Sequence, residues 1–262
     1  MIELTSHEVF MIPEPLHYYD ETFQIRAHEA SVNNHVTLPN YCNYLQEVAG
    51  EHAKRIGFGI HALQENGTTW MLAHFHLIIH RYASWQEKIH IRTWPSGVRG
   101  KLVALRDFYV TDNSGKLLVQ GVSEWMMIDL ATRHLTRLPP HLAPLAPEGT
   151  PRSGVPELAD KIPDFEQATW SCAQDVRRSD LDFNNHVNNV HYVEWGLEPL
   201  PNDWIETHHI SRMDITFRAE ALHQDELRCE ATALSDTVLL HRIVRVADNN
   251  ILASMRTEWQ LN

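Results

Sequence analysis

The chain has 262 residues, 43% of them hydrophobic and 21% charged, which allows one large or two small packed domains of ordinary soluble composition. Its net charge of −12, with histidine neutral, argues against a nucleic-acid binder, which needs a dense basic face. No apolar run approaches the roughly 18 residues of a membrane span, and residues 1–10 carry Glu3, His7 and Glu8 with no basic stretch, unlike a signal or transit peptide, so a cytoplasmic location is expected. Cys42, Cys172 and Cys229 are odd in number and far apart in sequence; they suggest neither a disulfide framework nor a zinc knuckle and are expected to be buried thiols.

In chain order, residues 22–28 have the composition of a strand and lead into a turn, Asn33-Asn34-His35. A helix follows. Leu38, Tyr41, Cys42, Leu45, Val48, Ala49, His52 and Ile56 recur at spacings of three and four and form one apolar stripe. Thr37 and Pro39 suit its start, and Gly57 and Gly59 its end. Strands are predicted over residues 70–79, 87–94, 103–111 and 116–128, with Asp112-Asn113-Ser114-Gly115 as the hairpin turn between the last two.

Seven of the thirteen prolines then fall between Pro139 and Pro163. This stretch reads as an extended linker between two units of similar size. The second unit repeats the plan of the first. A strand leads into Asn184-Asn185-His186-Val187, the phrase already met at Asn33-Asn34-His35-Val36, now 151 residues further on (35 to 186). A shorter helix from about Asn188 is stopped by Pro199 and Pro201. Strands are predicted over residues 209–217, 226–234, 238–247 and 251–261. Each unit is thus a helix against an antiparallel sheet, an α+β arrangement, and two such sheets side by side would cover each other's edges.

The two copies differ in their acids. Asp182 precedes the second phrase where Ser31 precedes the first. Aligning Glu87-Lys88-Ile89 with Asp225-Glu226-Leu227 sets Tyr82 against Glu220. The first unit therefore lacks both carboxylates, which points to a pseudo-symmetric protein with one active site. His74 and His76 alternate on one strand face, as a metal pair would. No neighbouring carboxylate or cysteine in the sequence completes the set, so they read as structural, and no metal or cofactor is expected.

Residues 179–195, which run from Ser179-Asp180-Leu181-Asp182 through the repeated phrase to Trp195, resemble the signature of acyl-acyl carrier protein thioesterases. The resemblance covers nearly the whole chain. Leu45-Gln46-Glu47-Val48, Arg106-Asp107-Phe108, Ser123-Glu124-Trp125, Thr132-Arg133-His134-Leu135 and Phe217-Arg218-Ala219-Glu220 resemble further family segments. It implies a double hotdog fold. An N-terminal hotdog domain (1–138) would bind the acyl chain and carry a degenerate site, a proline-rich linker would span 139–164, and a C-terminal catalytic domain would span 165–262.

The same resemblance assigns Asp182, Asn184, His186 and Glu220 as site residues. Plant members place a cysteine after the glutamate, where this chain has Ala221, so a thiol nucleophile is excluded at that position. Glu220 remains as general base or carboxylate nucleophile. His186 and Asn184 would polarise the carbonyl or position water, Asp182 would hold its neighbours, and free N–H groups at the following helix start, near Val187, would serve the oxyanion.

The expected activity is release of free fatty acid from acyl carrier protein in fatty acid biosynthesis. Acyl-coenzyme A hydrolysis and a non-catalytic acyl-thioester sensor are the alternatives, and a homodimer is left open. Each methylene buried in an acyl tunnel would contribute about 0.8 kcal/mol, so tunnel depth would select chain length. Because the carrier is acidic and so is this chain, docking needs a local basic patch; Arg177, Arg178 and Arg218 are the candidates.

Overall fold

A computed structural model describes residues 17–145, 154–155, 161–182 and 186–262. Strand β1 (Tyr19–Gln24) begins three residues before the expected position and gives way to a 3₁₀ turn over Ala27–Glu29, where extended chain was predicted. That turn closes when the Arg26 amide donates to the Glu29 carboxylate at 2.6 Å. Helix α1 (Leu38–Arg55) begins where the Thr37 hydroxyl accepts from the Asn40 amide, with Pro39 in its first turn. Its predicted stripe is the buried face. Beyond Gly57, whose φ of +83° ends the helix, lies a short helix α2 (Ile60–Glu65) that the sequence analysis did not anticipate.

Strands β2 (Thr68–Ile79), β3 (Lys88–Arg99), β4 (Val103–Asp112), β5 (Leu117–Asp129) and the two-residue β6 (Leu135–Thr136) complete the first unit. The second contains β7 (Trp170–Asp175), α3 (Asn189–Leu197), α4 (Asn202–Thr207), β8 (His208–Phe217), β9 (Glu226–Ala233), β10 (Val238–Arg245) and β11 (Asn250–Leu261). The strands form one antiparallel sheet in the order β1-β3-β4-β5-β2-β8-β11-β10-β9-β7, with β6 on β5. This order is a palindrome: β1, β3, β4, β5 and β2 correspond to β7, β9, β10, β11 and β8. The two units meet at β2 and β8, which pair antiparallel from His74↔Thr216 to Ile78↔Arg212. The expected double hotdog, with each sheet covering an edge of the other, is what the chain forms.

The duplication is visible bond by bond. Thr37 donates its amide to the Glu29 carbonyl, and Asn188 to the Asp180 carbonyl, both at 3.0 Å. The Arg177 amide donates to the Asp180 carboxylate at 2.7 Å, matching Arg26 and Glu29. Ala30↔Val36 and Leu181↔Val187 are matching isolated bridges. One apolar cluster runs through both units, from Tyr41, Leu45 and Val48 on α1 to Val190, Tyr192 and Trp195 on α3 and the strands beneath them.

The proline-rich segment is more than a draped linker where it is described. Pro140–Leu145 forms a 3₁₀ helix, and Leu142 and Leu145 are buried in a second apolar cluster with Ile56, Phe58, Leu63 and Met127. At its far end Arg242 holds Asp164 at 2.8 Å and lies over the Phe165 ring at 4.3 Å. Residues 146–153 and 156–160 of the segment, like residues 1–10, lie outside the described residues.

Helix α3 sits close to its sheet because of Gly196. A Cβ there would lie 2.6 Å from the Met255 methyl. The close approach lets the buried His241 ring meet the Gly196 carbonyl at 2.7 Å through Nδ1, while Nε2 lies 2.8 Å from the Thr257 hydroxyl. The Gly196 carbonyl can only accept, so the neutral ring carries its proton on Nδ1 and Nε2 accepts from the Thr257 hydroxyl, which itself accepts from Trp259 Nε1 at 2.7 Å. Burial pushes the His241 pKa down from 6.5 to about 4. The unfolded chain therefore binds the extra proton first as pH falls, and stability is lost between pH 6.5 and 4. The slope of melting temperature against pH in that window should flatten in His241→Asn; an unchanged slope would assign the titration to another group.

Candidate functional site

The site is built where β8 ends. Past Phe217 the chain stays tied to β11, because the Arg218 and Ala219 amides both donate to the Leu252 carbonyl. Glu220 follows, half-exposed in the loop before β9. The Ala221 amide donates to the Tyr192 hydroxyl at 2.7 Å, which fixes this loop against α3. Burial of Tyr192 raises its pKa to about 12, so it stays a neutral phenol.

The other wall is the loop between β7 and α3. The Asp182 amide donates to the His186 carbonyl at 2.7 Å, and the His186 amide returns to Asp182 Oδ1 at 3.2 Å. Asp182 thus braces the turn that presents His186. His186 Nδ1 lies 3.6 Å from Glu220 Oε1, beyond hydrogen-bond length. Asn184 lies outside the described residues. Helix α3 begins at Asn189, one residue after the expected start at about Asn188. Its Val190 amide is already taken by the Asn188 side chain at 3.1 Å. The supply of free N–H groups expected at this helix start is reduced accordingly.

The sequence analysis did not assign a role to Arg133. Its guanidinium Nη2 lies 2.5 Å from Glu220 Oε2. Arg133 belongs to the first unit, in the turn after β5, with a left-handed φ of +58°. Asp129 shapes that turn by accepting the Ala131 and Thr132 amides at 3.1 and 2.8 Å, while the Arg133 amide reaches the Asp129 carbonyl at 2.8 Å. The candidate site therefore draws on both units. The one signal in the sequence was the Thr-Arg-His-Leu segment at the strand exit, which does not reveal what the arginine would face.

The first copy keeps the frame and lacks the acids. The Ala83 amide donates to the Tyr41 hydroxyl at 2.9 Å, as Ala221 does to Tyr192. This places Tyr82 at the position of Glu220. Tyr82 donates its hydroxyl to the Ile210 carbonyl of the other unit at 3.0 Å. The His35 Nδ1 lies 3.5 Å from the Ser84 hydroxyl.

None of the thiols is poised for nucleophilic attack. Burial raises the pKa of Cys42, Cys172 and Cys229. Cys172 and Cys229, distant in sequence, are paired across β7 and β9 as free thiols.

One premise behind the reading of His74 and His76, the lack of a nearby carboxylate, does not hold. The sheet supplies the carboxylates that the local sequence lacks. Glu124 on β5 lies 2.7 Å from His74 Nδ1, and Asp214 on β8 lies 2.9 Å from His76 Nδ1. A separate cavity of about 450 Å³, lined by residues 21–26 with Trp85 and Gln86, includes none of the candidate residues. Among the described residues no helix is long and apolar enough to cross a membrane.

Known proteins resemble this chain over most of its length. Oleoyl-acyl carrier protein thioesterase 2 of Arabidopsis thaliana is 32% identical over 79% of this chain, which spans 60% of that protein's length. An acyl-ACP thioesterase from Bacteroides thetaiotaomicron superposes with a TM-score of 0.86 at 25% identity, covering 95% of this chain and 100% of that one. The 12:0-ACP thioesterase from Umbellularia californica has the same fold, with a TM-score of 0.85 at 24% identity over 99% of this chain and 100% of its own. The family model for the acyl-ACP thioesterase N-terminal domain matches residues 17–145 and that for the C-terminal domain residues 166–261, so the chain belongs to the acyl-ACP thioesterase family.

Proposed function

We propose that this protein hydrolyses fatty acyl thioesters of acyl carrier protein, releasing the fatty acid and the carrier thiol in the cytoplasm as a step of fatty acid biosynthesis. The observation that carries the reading is Glu220, held by Arg133 on one oxygen and facing His186 with the other. The Arg133 guanidinium sets a positive charge against one oxygen of a carboxylate that would act as base or nucleophile. The raised thiol pKa values leave no cysteine to compete for that role.

In this mechanism Glu220 either takes the proton of an attacking water or attacks the thioester carbonyl itself. His186 donates to the developing oxyanion or returns a proton to the departing thiolate, Asn184 orients water or carbonyl, and Asp182 keeps His186 in place. Apo geometry at 3.6 Å is compatible with such a pair, because catalytic hydrogen bonds tighten around substrate. Residues 1–138 would seat the acyl chain, 139–164 would link the units, and 165–262 would carry the catalytic acids.

Glu220→Ala and His186→Ala are each expected to lower kcat by about 10²–10⁴-fold with the fold intact, and turnover within about threefold of the parent in purified Glu220→Ala would remove the mechanism. Arg133→Ala should cost on the order of 10²-fold, the scale of lost positioning. The combined Cys42→Ser, Cys172→Ala, Cys229→Ala variant should stay active if folded.

Docking of the carrier is expected beside the site. Arg177 and Arg178 are exposed, and the neighbouring Val176 exchanges backbone hydrogen bonds with Gln224 and Asp225, in the loop after Glu220. Reversing both arginines to glutamate should raise KM for carrier-bound substrate, with an effect that fades as salt passes about 0.1 M. Short soluble thioesters and acyl-coenzyme A, assayed in parallel at graded chain length, separate carrier docking from damage to the site; equal losses on all substrates would assign the arginines a structural role.

A further inference from the structure

A second cluster of functional side chains lies at the seam between the two units. Strand β2 carries His74 and His76, β5 carries Glu124, and β8 carries Asp214. A register shift in the β2–β5 pairing, between Leu72 and His74, skips Ala73 and sets His74 directly opposite Glu124. Bulges of this kind re-aim side chains. One candidate ligand atom from each of His74, His76 and Glu124 lies within 4.8 Å of the others.

The four groups are arranged as a ligand set with outer support. The His76 side chain is fully buried, and Asp214 holds its Nδ1 at 2.9 Å. Its Nε2 has no hydrogen-bond partner among the described residues. A buried ring nitrogen left without a partner is costly, whereas a carboxylate on the opposite nitrogen is the arrangement that fixes a metal-binding imidazole. His74 is 28% exposed and offers a route in from solvent. The counter-charge is Arg99, which holds both Glu124 oxygens, at 2.9 and 2.5 Å. With 44% of its side chain exposed, Arg99 has solvent to turn into when a cation takes its place.

We propose that His74, His76 and Glu124 bind one divalent transition-metal ion, Zn²⁺ by ligand type, with Asp214 orienting His76 from behind. Two imidazoles and one carboxylate suit zinc-like cations, and water would complete the coordination. Because His76 and His74 sit on the central strand and Glu124 on its neighbour, while Asp214 reaches across from the second unit, the ion would clamp the joint between the two halves. This role is separate from the chemistry proposed at Glu220.

The test uses the full-length protein, stripped of metal by a chelator and then titrated with Zn²⁺ and with Co²⁺. Calorimetry should give one saturable site per chain, with a rise in melting temperature on Zn²⁺ addition. Co²⁺ should produce visible absorption bands typical of nitrogen and oxygen ligands. His74→Ala, a change at a partly exposed position that the fold should tolerate, should weaken binding at least about tenfold, and Asp214→Asn by about 10–100-fold, the range for an outer-shell partner. The chain has 18 histidines, so a His208→Ala, His209→Ala variant serves as control and should bind as the parent does. Absence of saturable binding, or binding that is insensitive to His74→Ala, or equally weakened by the control, overturns the proposal. If Asp214→Asn fails to fold, the comparison of His74→Ala with the control decides alone.

Discussion

The pairing of β2 with β8 is the contact on which the rest of the molecule depends. An isolated unit would expose one of these strands as an open edge, with a row of unpaired backbone groups. Antiparallel pairing satisfies both edges at once and sets the two units about a pseudo-twofold axis. The register then decides which loops face each other. The end of β8 that leads to Glu220 lies beside the start of β2, near the turn after β5 that carries Arg133. The end of β2 that leads to Tyr82 lies beside the start of β8, at Ile210. The two equivalent loops thus emerge at opposite ends of the seam, and each completes itself with a group from the other unit.

What duplication preserves here is the backbone network, and what it frees is the side chain. The matching amide-to-tyrosine bonds at Ala83 and Ala221 hold both loops in one shape. Within that shape a tyrosine buries its ring and directs its hydroxyl to a carbonyl, which strengthens the joint. A carboxylate in the same place remains half in solvent and needs a cation. The first loop therefore serves cohesion, and the second leaves a half-exposed carboxylate opposite Arg133.

Much of this was readable in the sequence. The apolar stripe from Leu38 to His52, the succession of strands along each unit and the repeated Asn-Asn-His phrase follow from local periodicity and turn chemistry, and they led to two antiparallel sheets covering each other's edges; the palindromic strand order is set by pairing between distant segments. Contacts between units were less accessible. Nothing local to Thr132-Arg133-His134 says that its guanidinium meets Glu220. Nothing around His74 and His76 announces Glu124 or Asp214, because their proximity is created by sheet register and by a skipped residue at Ala73. The 3₁₀ segment at Pro140–Leu145 was hidden by its prolines, which suit a linker equally well; the burial of Leu142 and Leu145 distinguishes the two. The helix start at Asn189 was displaced because Asn188 acts as its cap.

The dependence of the candidate site on both units has a physical consequence. Arg133 is held in a left-handed turn by Asp129, so its guanidinium reaches Glu220 from a fixed point on the first unit. His186 is braced by Asp182 on the second. Any rotation of one unit against the other would change the Arg133–Glu220 distance while leaving the His186 loop intact. The seam therefore sets the electrostatic environment of the acid, and the tightness of β2 against β8 is part of the site itself. A single unit of this fold could keep the loop, the helix and the glutamate, yet it would lack the cation that faces the carboxylate.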